Sequence, residues 1–171
     1  IQICRWRSEQ LSRIEDSGMS DAKIDARAAA ITRERFYRKG LVGVTSPCVS
    51  SWEPAVTPLL AMASERSGGR DTPETYLRMC RERVAQMWVY LASRETVQAV
   101  LITRILQYDG GKSLCGVAVA GYNIKDWIDC LVDIERWGVE NGCVRAEWVV
   151  RPGIEKLLKP RGYVKSHVLL E

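Results

Sequence analysis

The stretch Leu114-Cys115-Gly116-Val117-Ala118-Val119-Ala120-Gly121-Tyr122-Asn123-Ile124-Lys125-Asp126 decides the fold, because it passes from an apolar run into a helix start within a few residues. Leu114 to Ala120 is apolar throughout and predicts a buried strand. Its glycine and alanines predict close approach by another backbone or by a ligand. Asn123, answered by Asp126, predicts a helix N-cap in an Asn/Asp variant of the capping box. Ile124, Trp127, Ile128, Leu131, Ile134 and Gly138 follow at offsets of 0, 3, 4, 7, 10 and 14. That spacing is one stripe of a helix lying on a sheet. Asn141-Gly142 predicts its end.

Upstream, Asp109-Gly110-Gly111-Lys112 predicts a hairpin turn. It joins the run to Val97 to Tyr108, rich in Val, Ile, Leu and Thr, which reads as a long central strand. Ser93 to Thr96 predicts a second turn, and Met87 to Ala92 another buried strand. Thr72-Pro73-Glu74 opens a helix with a hydroxyl cap, a proline in first position and an acid in the first turn. Tyr76, Leu77, Cys80 and Val84 form its apolar stripe. Downstream, Cys143 to Val150 reads as a strand, Ile154 to Lys159 as a short helix stopped by Pro160, and Tyr163 to Leu170 as a closing strand. Two hairpin links followed by two helical crossovers predict a mixed sheet.

Residues 41–71 are punctuated by Gly43, Pro47, Pro54, Pro58, Gly68 and Gly69 and read as a loop-rich linker, with a short helix near Pro58 to Glu65. Residues 1–40 read as an N-terminal helical arm interrupted at Gly18, and residues 72–171 as the compact domain. The arm ends in Arg33-Glu34-Arg35-Phe36-Tyr37-Arg38-Lys39, cations that suit a helix C-terminus. Trp, Tyr and Arg in the arm are also the usual anchors of an interface.

The chain of 171 residues is long enough for a core without staples. Its net charge of +4, from 25 basic and 21 acidic residues, does not argue for nucleic acid. The segment 151–165 is locally basic, but no nucleic-acid motif accompanies it. No apolar run is long enough to cross a membrane, and the first residues lack the apolar core of a secretion signal. The six cysteines include no C-x-x-C pair and there is one histidine, His167. The cysteines read as small buried hydrophobes in a reducing compartment, and no metal site is expected.

The element order and local strings from 73 to 171 resemble the GNAT superfamily of N-acetyltransferases. The matching pieces are Leu114 to Ala120, Asn123 to Asn141, Val144 to Val150, Ile154 to Lys159, and Arg161-Gly162-Tyr163. More narrowly, Asp133 to Trp137, Glu140 to Cys143, Arg151-Pro152-Gly153, Leu157-Leu158 and Leu169-Leu170-Glu171 are similar to small GNAT-like proteins of tailed bacteriophages. The resemblance implies an α+β fold: a three-layer α/β/α arrangement around a mixed, largely antiparallel sheet, here with the helical arm added. It implies an acetyl-CoA diphosphate held by an Arg/Gln-x-x-Gly-x-Gly/Ala loop at the main helix, where glycines let amides crowd the phosphates. The corresponding residues, and the coenzyme contacts if acyl-CoA binds, are Gly121, Tyr122, Asn123 and Lys125.

This chain departs from the family pattern twice. The loop has one glycine and no leading Arg or Gln, and Asn123 is expected to cap the amides that phosphate would need. The position where many relatives place a proton-donating Tyr, four residues before the closing-strand glycine, is Leu158. Glu147, read as pointing to the face opposite Ala146 and Trp148, and His167 carry no assigned catalytic role. The reading is therefore a GNAT-like protein without a cofactor, serving as a structural or assembly component of a tailed-phage particle. It would bind other phage structural proteins or its own copies, in the host cytoplasm or the virion. The alternative is an acyl-CoA-dependent N-acyltransferase using acetyl-CoA or CoA.

Overall fold

The computed structural model describes residues 40–93, 96–150 and 152–165. The elements are β1 (Gly40–Val44), a 3-10 turn (Ser46–Cys48), α1 (Val49–Arg66), α2 (Pro73–Arg81), β2 (Gln86–Leu91), β3 (Val97–Tyr108) and β4 (Gly111–Gly121). Two 3-10 turns (Ile124–Asp126, Ile128–Cys130) follow, then α3 (Leu131–Glu140), β5 (Cys143–Trp148), α4 (Pro152–Leu158) and a last 3-10 turn (Lys159–Arg161). The strands form one sheet in the order β1-β2-β3-β4-β5. β1 to β4 pair antiparallel, and β4 pairs with β5 in parallel through the α3 crossover. The sheet is mixed as the connections require, and the class is α+β.

Two apolar cores sandwich it. On one face Val42, Val44, Met87, Val89, Val100, Ile102, Ala118 and Ala120 meet α1 and α2. On the other, Trp88, Tyr90, Ala99, Leu101 and Leu114 meet Trp127, Ile128, Leu131 and Ile134. Trp88 donates its indole N–H to Thr103, 2.9 Å away and wholly buried, so the polar atoms of both are satisfied. α2 starts as its sequence predicts, with the Thr72 hydroxyl accepting from the Thr75 amide at 3.2 Å. It ends at Arg81, before Val84, which is exposed.

The main correction falls on residues 41–71. In place of a loop-rich linker there are an edge strand and an 18-residue helix. Two interior prolines, Pro54 and Pro58, each cost the helix an internal hydrogen bond and about 3 kcal/mol. Val49, Trp52, Val56, Leu59, Leu60 and Ala63 repay this, because they are all buried. Each large apolar side chain taken out of water contributes roughly 1.5–3 kcal/mol. Arg81 then pins α2 to α1, bonding Glu53 at 2.6 Å and Glu74 at 2.8 Å.

The helix predicted over 123–141 is shorter than expected. Its first turns are 3-10, and regular α-helix begins at Leu131. The apolar stripe nonetheless faces the sheet as predicted. Tyr163 to Lys165 are irregular, not the start of a strand. The rest of the predicted closing strand, His167, and residues 1–39 of the predicted arm lie outside the described residues.

Candidate coenzyme site

The site the sequence points to lies where β4 and β5 part. β4 pairs with β5 from Lys112 to Gly116 and β5 pairs no further than Trp148, whereas β4 runs on to Gly121. The register with β3 slips at the same place. Thr103 stands opposite Gly116 and Ile102 opposite Ala118, so Val117 is the extra residue of a bulge. A bulge bends its strand and raises its twist. From Val117 to Gly121, β4 is therefore paired to β3 only, among the described residues. A parallel pair that opens this way leaves a slot between two strand ends.

Gly116 at the foot of the slot has no side chain because Trp148 occupies the space. A Cβ there would stand 2.6 Å from the indole Cζ3. Gly121 at the top is bare for a different reason. A Cβ there would lie 2.6 Å from Ala99 Cβ and 2.7 Å from Gln98 O. The close approach predicted from this Gly/Ala-rich run is thus made by the protein's own ring and backbone.

At the entrance to α3 three amides are engaged in turns. Asp126 N donates to Asn123 O at 2.8 Å, Trp127 N to Ile124 O at 3.2 Å, and Cys130 N to Trp127 O at 2.9 Å. Asn123 does not cap the helix. It sits in the left-handed region at φ 50 and its side chain makes no cap bond. That expectation is corrected: the mouth is shaped by backbone turns and by the burial of Trp127, 2% exposed, whose indole N–H donates to Tyr122 O at 2.9 Å. Buried Gln98 holds the Asp126 carboxylate at 2.8 Å, and the Tyr90 hydroxyl donates to Asp126 O at 2.9 Å. Tyr122 and Lys125 are exposed. Gly121, Tyr122, Asn123 and Lys125 are therefore brought together on one loop, beside a fixed carboxylate.

The segment after α4 is tied to α3, to its lead-in and to the end of β5. Arg161 forms an ion pair with Asp129, in the second 3-10 turn before α3. Tyr163 donates its hydroxyl to Glu135 on α3 and accepts from the Trp148 indole N–H at 2.8 Å. Burial, and then the Glu135 carboxylate, push the Tyr163 phenol well above its ordinary range. On the opposite face of the sheet Glu147 accepts from Ser113 at 2.8 Å and pairs with Arg145 at 2.6 Å. Arg145 in turn lies over the Tyr108 ring, 5.0 Å from its centroid.

No family model and no curated protein matches the sequence. Solved structures do match the fold. A probable acetyltransferase superposes with a TM-score of 0.61 at 12% identity, over 77% of this chain and 93% of the other. An aminoglycoside acetyltransferase from an uncultured soil metagenomic sample gives 0.56 at 13%, over 77% and 94%. The ribosomal-protein-alanine N-acetyltransferase of Brucella melitensis biovar Abortus gives 0.55 at 14%, over 77% and 99%. The fold is that of the GNAT acetyltransferases.

Within the GNAT fold, the slot beside β4 and the mouth of α3 are the places where the coenzyme's chain and diphosphate would be sought. The residues present do not fit the diphosphate. The cradle needs free amides and glycines open to the ligand. Here turns take the amides of Asp126, Trp127 and Cys130, Gly121 is closed by Ala99 and Gln98, and the Asp126 carboxylate held by Gln98 stands beside the one cation of the loop, Lys125. Leu158, at the tyrosine position of many GNAT proteins, is 5% exposed and part of the core. Three structural relationships are not read from the sequence: the Val117 bulge, the Trp148 ring on Gly116, and the tie from Tyr163 to Glu135. Gly116 alone signalled one of them.

Proposed function

We propose that this chain is a GNAT-fold protein that acts by binding, as a structural or assembly component, and not by acyl transfer. The observation that carries the reading is the mouth of α3, where 3-10 turns and the Asp126 carboxylate occupy the place of a diphosphate cradle. An anion brought there would meet the Asp126 carboxylate and would lose the amides of Asp126 and Trp127 to the turns. The core position of Leu158 supports the same reading. Its place in a tailed-phage particle, with phage structural proteins or its own copies as partners, rests on the sequence resemblance alone. The test is thermal unfolding with CoA and acetyl-CoA up to millimolar concentration. The expected result is an unchanged midpoint. A midpoint that climbs with ligand concentration overturns the reading.

The second reading, an acyl-CoA-dependent N-acyltransferase, is favoured by the Val117 bulge and by the loss of β5 pairing beyond Gly116. Those features open a slot that an extended ligand can enter, and catalysis by proximity needs little more than two reactants held in place. The acetyltransferase names of the structural neighbours point the same way. Release of free thiol from acetyl-CoA in the presence of a panel of amines would establish it.

A further inference from the structure

Among the described residues β5 is the last strand of the sheet and pairs with β4 on one side only. An edge strand offers its outer row of amides and carbonyls to any strand that lies beside it. The edge at β1 runs Gly40-Leu41-Val42-Gly43-Val44 and carries no charge that would choose a partner or a register. The edge at β5 does. Arg145 and Glu147 stand two residues apart on one face, 56% and 42% exposed, with Ala146 between them. Arg145 gives its Nε to Glu147 Oε1 at 2.6 Å, and Ser113 donates to the same oxygen. The other oxygen, Oε2, meets the thiol of Cys115 at 3.8 Å, a weak donor. Glu147 therefore has a weakly bonded oxygen to offer a further cation, and Arg145 has two terminal nitrogens beyond its Nε.

This alternation makes the strand complementary to itself. In an antiparallel pair, directly opposite residues share a face, so a twofold axis relating two copies of β5 passes through a residue. Centred on Arg145, it sets two arginines opposite each other. Centred on Glu147, it sets two glutamates opposite each other. Centred on Ala146, it sets Arg145 opposite the partner's Glu147 and Glu147 opposite the partner's Arg145. We propose that a second copy of this chain docks at this edge, β5 against β5, antiparallel about Ala146, so that one sheet runs through both copies. Lys112 pairs with Cys143 and Ser113 with Arg145, so Val144 is the extra residue of a bulge that ends the regular run on one side. The contact is short and belongs with weak interfaces, below about 1,200 Å². The inference rests on the reading of this chain as a binding protein, and names its partner and its surface.

The test uses the full chain in sedimentation equilibrium. The parent is expected to rise from the mass of one chain toward twice that mass as concentration increases. Arg145→Glu and Glu147→Arg each set like charges opposite each other and are expected to weaken association at least about tenfold. Mixed in equal amounts, the two variants are expected to regain it, because one presents two acids and the other two bases. A monomeric parent, variants that associate like the parent, or a mixture of folded variants that stays monomeric overturns the pairing. Ala146→Cys, in a Cys4→Ser and Cys115→Ser background, keeps the charges and covers the case where a charge reversal unfolds the chain. Its thiols face each other across the axis, within the Cα separation of a disulfide, about 4.4–6.8 Å. Oxidation is expected to link two chains, and absence of the linked dimer overturns the proposal. A dimer that forms only after residues 166–171 are removed shows the edge covered by the chain itself and overturns it too. Acyl-CoA takes no part in these measurements, so a monomeric parent overturns the pairing alone, while the functional reading stands or falls by unfolding with CoA.

Discussion

Trp148 lies against Gly116 so closely that even a Cβ at Gly116 would stand within 3 Å of the indole ring. The pair closes the last rung between β4 and β5. Gly116→Ala must therefore displace a ring that also bonds Tyr163. Overpacking of this kind costs about 1–3 kcal/mol. The expected outcome in urea unfolding is a midpoint lowered accordingly, with part of the loss regained when Trp148→Leu is added.

Leu60 is fully buried on α1, in a stretch that resembles a linker by composition. If the helix is part of the core, Leu60→Ala leaves a cavity and costs about 2–5 kcal/mol. Equilibrium denaturation should show that loss in a single transition. A change near zero would return residues 41–71 to the status of a linker.

The Tyr163 phenol is raised by burial and by Glu135, and the Cys80 and Cys130 thiols by burial to about 12. All three are acids held neutral by the fold. Their contribution is complete below the unfolded values, about 8.5 for the thiols and about 10 for tyrosine. It is lost as the pH climbs from there through the folded values, because the unfolded chain releases the protons first. Stability should therefore fall on the alkaline side from about pH 8.5, and Tyr163→Phe should flatten the part of that fall above about pH 10. Thermal midpoints measured across the alkaline range check both.

Cys115 is the most accessible of the cysteines in the described residues; Cys48, Cys80, Cys130 and Cys143 are buried. Its thiol donates to Glu147 at 3.8 Å. In a Cys4→Ser background, an aromatic disulfide reagent at neutral pH should label Cys115 first and leave Cys80 and Cys130 untouched until the protein unfolds. Early labelling at Cys130 would contradict the packing described around Trp127.

The elements from α2 to α4 were legible in the sequence because their signals agree with one another. Thr72-Pro73 starts a helix, Asp109-Gly110 makes a hairpin, and the stripe from Ile124 to Gly138 faces the sheet even though its first turns wind as 3-10. α1 was not legible because two signals conflict. Pro54, Pro58 and the serines argue for a loop, while the burial stripe from Val49 to Ala63 argues for a helix, and packing wins over propensity. At the candidate site, the loop residues were legible as a place but not as a shape. Nothing local in Asn123 announces that it will take a left-handed turn, nor that Gln98 of β3 and Tyr90 of β2 will hold Asp126 three residues on. The pairing of Tyr163 with Glu135 spans 28 residues and has no periodicity to betray it.

The extra residue at Val117 puts the two ends of β4 in different frames. Leu114 faces the core under α3, yet Ala118 and Ala120, also even-numbered, face the core under α1. Deleting that one position would set Ala118 directly after Gly116, opposite the neighbours Ile102 and Thr103, so every side chain beyond it would keep its face and only the bulge would be lost. The shift in frame therefore constrains how this strand can vary, because a one-residue deletion is absorbed at Val117 but anywhere else in β4 would turn the strand beyond it to the wrong face.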